Sequence, residues 1–204
     1  MSALIVIAKA PRPGHVKTRL CPPCTSTEAA ALAEAALRDT LEVVAATVGD
    51  RRVLALDGEP GPWLPDGFEI VPQRGDGLAE RLGNAFADVG ERALLIGMDT
   101  PQVSPALLAD GLRRMGETDA VLGPAADGGY WAVGLRAPDP RVFAGVPMSA
   151  PDTATRQRAR LRELGLHVSE LPTLVDVDTI REARRVARDA PDTRFAQALR
   201  RQAA

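Results

Sequence analysis

Histidine and cysteine each occur only twice in the 204 residues, and aromatic side chains make up 3% of them. With no second cysteine pair beside Cys21-Pro-Pro-Cys24, and only His15 and His167 to add, the chain lacks the ligands of a structural zinc site. A thioredoxin-like role would want the C-x-x-C at the start of a helix after a strand, whereas prolines and Thr-Ser-Thr surround this one. The two cysteines therefore read as incidental loop residues. No serine stands in a G-x-S-x-G setting and no cysteine has a convincing base, which argues against nucleophilic hydrolysis. Long apolar runs are missing too: none approaches the ~20 residues that span a bilayer. The apolar stretch Ala3 to Ala8 is too short for a signal-peptide core, and Lys9 and Arg12 follow it rather than precede it. The expectation is a cytoplasmic protein with no membrane span. Nor is there an excess of one charge, since 25 basic residues face 27 acidic ones for a net of -2. The arginines from Arg181 to Arg201 are interleaved with Glu182, Asp189 and Asp192, the pattern of a solvated helix rather than a nucleic-acid face.

What is present is a 45% hydrophobic chain, much of it alanine, of a length that suits one domain over residues 1–204. Leu4 to Ala8 reads as a buried strand, and Thr25 with Glu28 forms a capping box that opens a helix from about 27 to 48. Leu37, Leu41, Val44 and Val48 recur along that helix at helical spacing. Strands at Arg52 to Leu56, Phe68 to Val71 and Ala93 to Ile96 follow, with a helix carrying Leu78, Leu82, Phe86 and Val89 before the last. Ser104-Pro105, a cap and a first-turn proline, opens a helix to about Met115. Alternating strands and helices through this half predict an α/β fold with a mainly parallel sheet. Ala120 to Leu122 and Tyr130 to Leu135 flank a hairpin-type turn. A helix over Thr153 to Leu164, a short strand over His167 to Leu171, and helices near 180–189 and 192–202 complete the chain.

Four polar loops carry the chemistry. The first strand runs into Lys9-Ala-Pro-Arg-Pro-Gly-His-Val-Lys-Thr-Arg19, where Arg12, Lys17 and Arg19 can neutralise phosphate oxygens and Gly14 permits close backbone approach. The plain alternative for such a loop is a solvated basic turn. Asp99 stands just past the strand at 93–96, at the sheet edge where open α/β sheets bind ligands. A lone Asp there is often a helix cap, but Ser104 holds the better capping position. Asp176 and Asp178 form a D-x-D whose period of two puts both carboxylates on one side, suited to a metal, although Asp178 could instead cap the next helix. Asp127, Gly128 and Gly129 form the fourth loop, which is otherwise a mere turn. A divalent cation, Mg²⁺ or Mn²⁺, would reconcile carboxylates with a basic loop through a bound diphosphate.

These motifs, AKAPRPGHVKTRL, QRGDGLAERL, IGMDTPQVS, GPAADGGYWAVG and LVDVDT in that order, resemble the GT-A-fold nucleotide-diphosphosugar transferase superfamily. The nearest likeness is its small bacterial "transferase 1" branch, relatives of the phospholactate guanylyltransferases and molybdenum-cofactor nucleotidyltransferases. The resemblance covers nearly the whole chain and implies a single-domain Rossmann-like GT-A fold with helices on both faces of the sheet. It implies that Arg12, Gly14, Lys17 and Arg19 cradle nucleotide phosphates, and that Gln73 and Gly77 lie in a base-reading segment. Asp99 would bind metal with Asp178 and, less centrally, Asp176, while Asp127, Gly128 and Gly129 would border the acceptor. Lys17, Arg19 and Asp99 are then the residues expected to act on the reacting phosphates. Met148-Ser-Ala150 departs from the Trp-Ser-Thr common in that branch, and so bears on the acceptor pocket. The implied substrates are an NTP or NDP-sugar and a small-molecule acceptor, with nucleotidyl and glycosyl transfer ranked level. A nucleotide-binding regulator without turnover is the competing class.

Overall fold

The computed structural model describes residues 1–202. Seven strands form one sheet: β1 (Ala3–Lys9), β2 (Arg51–Asp57), β3 (Glu69–Pro72), β4 (Ala93–Gly97), β5 (Ala120–Pro124), β6 (Tyr130–Leu135) and β7 (Val168–Glu170). Their spatial order is β3-β2-β1-β4-β6-β5-β7. All neighbouring pairs are parallel except those of β6 with β4 and with β5. The chain winds outward from β1 to β2 and β3, then returns to lay β4 on β1's other side. That reversal leaves a crevice at the carboxyl ends of β1 and β4, where doubly wound sheets bind ligands.

Helix α1 (Ser26–Ala46) and α3 (Pro105–Glu117) cover one face; α2 (Leu78–Val89) and α4 (Thr153–Glu163) cover the other. Apolar side chains of the inner strands alternate between the two layers: Leu4, Val6 and Ala8 join the first core, and Ile5 with half-buried Ile7 the second. Small residues let the layers approach. Gly111 of α3 lies so close to Leu94 that a Cβ there would stand 2.8 Å from its Cδ2. On the outer side of α1, α5 (Ile180–Asp189) and α6 (Arg194–Gln202) build a third core with Leu20 and Val177.

The expected elements are all present, with shifted ends. The first helix stops at Ala46, so Val48 is exposed outside it rather than on its buried stripe. Thr25 and Glu28 do form the capping box, and Ser104 caps α3 with Pro105 behind it. β2 and β3 are parallel neighbours joined without an intervening helix, a departure from strict strand–helix alternation. Short 3-10 turns at Thr18–Leu20 and Pro140–Val142 have no periodic signal to betray them. Cys21 and Cys24 are free and half-buried against the third core. No helix among the described residues is long and apolar enough to cross a membrane.

Candidate active site

A cavity of about 660 Å³ opens at the sheet edge formed by the carboxyl ends of β1 and β4 and the amino end of the antiparallel β6. It is lined by Lys17 and Arg19 from the loop after β1, Asp99 after β4, Asp127 and Gly129 from the β5–β6 turn, and Asp176 and Asp178. Gln73 lines it as well, whereas Arg12, Gly14, Gly77 and Gly128 do not. Arg12 belongs to a smaller adjoining pocket with Lys9, His15 and Asp57.

The segment 174–178 reaches the site because its backbone is stitched to both neighbouring strand exits. Leu174 N donates to Pro124 O at 3.1 Å, and Val177 N donates to Asp99 O at 2.8 Å. Gln102 Nε2 adds a bond to Val175 O at 2.7 Å. Although these residues are not in a strand, the alternation anticipated for D-V-D holds: Asp176 and Asp178 face the cavity while Val177 is buried in the third core. Asp178 caps nothing, since Thr179 is the N-cap of α5.

Opposite charges meet in pairs. Lys17 takes a left-handed backbone conformation, φ 50°, which aims its nearly buried side chain inward. Its Nζ lies 2.7 Å from Asp99 Oδ1 and donates also to Val177 O. Arg19 pairs with Asp178 at the more exposed rim. Among the described residues Asp176 has no such counter-ion. Its Oδ1 is enclosed and has no hydrogen-bond partner. Burial first, then the nearby charges of Asp99 and Asp127, push its carboxyl up to about 7 despite the opposing pull of Lys17. A carboxylate oxygen orphaned among other carboxylates is the environment that a hard cation relieves. Among the described residues no three acidic, histidine or cysteine side chains converge into a ready-made metal cage. The donor set therefore fits a cation held by one or two carboxylates and completed by a ligand's own oxygens.

Gln73 is placed differently from a free base-reading amide. Its Nε2 bonds Ala8 O at 2.8 Å and Ala55 O at 3.0 Å, bracing the ends of β1 and β2, and Arg81 reaches its Oε1 at 3.4 Å. Arg81 also pairs with Asp57 at 2.9 Å. Neither Arg81 nor Asp57 stands out in sequence. The other wall of the cavity was also unforeseen. Tyr130 directs its hydroxyl to Gln157 Oε1 at 3.3 Å, with Met148 Sδ 3.6 Å away. Gln157, wholly buried in α4, donates in turn to Val142 O at 2.7 Å. A tyrosine and a glutamine 27 positions apart give no shared sequence signal.

A family model described as "uncharacterized protein conserved in bacteria (DUF2064)" matches residues 31–150. A phosphoenolpyruvate guanylyltransferase of Conexibacter woesei is 33% identical to the chain, covering 73% of it and 71% of the relative. The fold is that of a crystal structure from Desulfovibrio desulfuricans G20, provisionally described as a nucleotide-diphospho-sugar transferase. The two superpose with a TM-score of 0.88 at 28% identity over 98% of this chain and 94% of that one. Rv0371c of Mycobacterium tuberculosis, crystallised in complex with manganese, shares the fold more distantly: TM-score 0.54, 24% identity, 91% and 96% covered.

Proposed function

For a chain that belongs to the DUF2064 family of bacterial proteins, we propose nucleotidyl transfer: a divalent-cation-dependent enzyme that moves an NMP group from an NTP, GTP foremost, to a small phosphorylated acceptor. The observation that carries this reading is the juxtaposition, in one cavity, of Lys17 and Arg19 with Asp99, Asp176 and Asp178. The guanylyl transfer named for the Conexibacter relative supports the reaction class and the base.

In this reading Lys17 and Arg19 hold the triphosphate from within the cavity, and Arg12 adds its charge from the adjoining pocket. The base lies toward the strand ends that Gln73 braces, while Gly14 and Gly77 lie outside the cavity lining. An acceptor phosphate oxygen attacks the α-phosphorus, the new P–O bond forms, and the bond to the bridging oxygen breaks as pyrophosphate departs with the electron pair. At neutral pH an ionised phosphate nucleophile has no proton to remove. That suits a site without a nucleophile-and-base pair. Lys17 and Arg19 stabilise the charge that accumulates on the leaving pyrophosphate, and their value rises as water is excluded. Asp99, Asp178 and Asp176 would hold Mg²⁺ or Mn²⁺, which when bound supplies further neutralisation of the phosphate oxygens. Asp127, Gly128 and Gly129 border the acceptor.

Pyrophosphate release from each NTP in the presence of Mg²⁺ and a panel of organic monophosphates tests this. Release should favour GTP and fall by about 10²–10³-fold in Asp99→Ala, the size of effect expected for a group that organises transition-state charge. NDP release from an NDP-sugar instead would support glycosyl transfer, the second reading, which the description of the Desulfovibrio structure favours. Nucleotide binding without release of either product would support a regulator.

A further inference from the structure

The cavity is charged at only one end. Every charged side chain lining it comes from residues 9–19, from Asp99 or Asp127, or from the 176–178 segment. The remainder is a trough on the α2 side of the sheet, and its lining contains no lysine, arginine, histidine, aspartate or glutamate. Its floor is made by Ile7, Leu95 and Val133, which the registers of β1, β4 and β6 place on the same face. Gly97 pairs with Ile7 and so points to that face too, but a Cβ there would meet nothing within 4 Å. The missing side chain is what leaves the floor open.

One wall is Leu82 and Leu78 of α2, the latter 45% exposed at the rim. The other is the ring of Tyr130 and the thioether of Met148, carried on the strap that follows Val146. The strap is held down by Ala154 N donating to Gly128 O at 2.8 Å. Because the Tyr130 hydroxyl is engaged with Gln157, the wall offers the trough hydrocarbon and sulfur rather than a free donor.

We propose that this trough binds the non-reacting body of the acceptor, and that this body is apolar and uncharged, so that the second substrate is a monophosphate of an apolar alcohol rather than a small phosphorylated carboxylic acid. The assignment of the trough to the acceptor rests on the nucleotidyl-transfer reading. A second anionic group would have to leave water, at a cost, for a surface with no cation, where Ser149 supplies the strap's one hydroxyl not engaged elsewhere among the described residues. Methylene groups placed there gain from burial. The exposed Leu78 at the rim is then a residue waiting for apolar cover, and the acceptor's phosphate would project back toward the charged end of the cavity, facing the α-phosphorus from the side opposite the leaving pyrophosphate.

Calorimetric titration of the full chain with methyl, propyl and hexyl phosphate and with phosphoenolpyruvate tests this. Each titration is made alone and again with Mg²⁺ and a GTP analogue that has a methylene bridge between its α- and β-phosphates. The dissociation constant should fall about two- to fourfold per added methylene, the gain of burying ~0.8 kcal/mol of hydrocarbon at most. It should do so with the nucleotide bound as well, and hexyl phosphate should bind more tightly than phosphoenolpyruvate. Gly97→Val, which fills the floor, and Met148→Glu, which charges the wall, should each flatten the chain-length dependence. Equal affinity along the series overturns the proposal, as does tightest binding of phosphoenolpyruvate. So does a chain-length gain that vanishes once nucleotide is bound, since the trough would then belong to the nucleotide. Chain-length dependence in a protein that binds no nucleotide supports the trough's ligand class and overturns the nucleotidyl reading alone.

Discussion

Asp176 is the residue at which folding and ligand binding are most plainly opposed. Its Oδ1 is sealed from water without a donor, among other carboxylates. Asp176→Asn removes that unpaired charge, and the metal-free protein should gain on the order of 1 kcal/mol in chemical denaturation. The same change should weaken the stabilisation given by Mg²⁺ with GTP. A loss of stability in the metal-free state would mean that Asp176 has a structural partner. Lys17 shows the complementary arrangement, because its ammonium already satisfies Asp99 and the Val177 carbonyl. Its position in the cavity was legible from its place after the first strand. Its partners were not, since Val177 lies 160 positions away and a carbonyl has no side-chain signature.

At the scale of elements, two contacts hold pieces of the framework that motifs alone would not relate. Asp39, buried in α1, accepts from the main-chain N–H groups of Arg194 and Phe195, both at 2.9 Å, and so secures the start of α6. Burial raises its carboxyl's pKa against the lowering effect of those bonds. Asp39→Ala should cost about 1–2 kcal/mol in urea or thermal denaturation, and Asp39→Asn less, because an amide oxygen still accepts. Equal losses would show that packing rather than capping matters there. Gly128 is the second contact. Its φ is 93°, and a Cβ would stand 1.8 Å from Pro151 O, so Gly128→Ala must push the 146–153 strap off the β5–β6 turn. The expected signature is a KM for the acceptor raised about tenfold or more, with nucleotide affinity little changed. Parallel loss of both would place the strap's influence on the nucleotide as well.

Over the whole molecule, the alternation of strands with helices was enough to read an α/β sheet, because inner strands buried on both faces and capped amphipathic helices leave strong periodic traces. The strand order was not legible. Nothing local tells β4 to return beside β1, yet that return creates the crevice that unites Lys17 with Asp99. Polar loops at strand exits announced the charged half of the site, since charged residues next to buried strands are conspicuous. The apolar half was hidden for the opposite reason: Leu82, Leu95 and Val133 look like any core residues until the gap at Gly97 shows that they line a cavity.

Titration calorimetry with GTP, with and without Mg²⁺, decides whether nucleotide and a divalent cation bind together in this cavity. Saturable one-to-one binding that weakens at least tenfold without Mg²⁺, and again in Lys17→Met, is the predicted result. Binding of equal strength in the unaltered chain and in Lys17→Met and indifferent to Mg²⁺, or no binding of any NTP, would contradict joint binding.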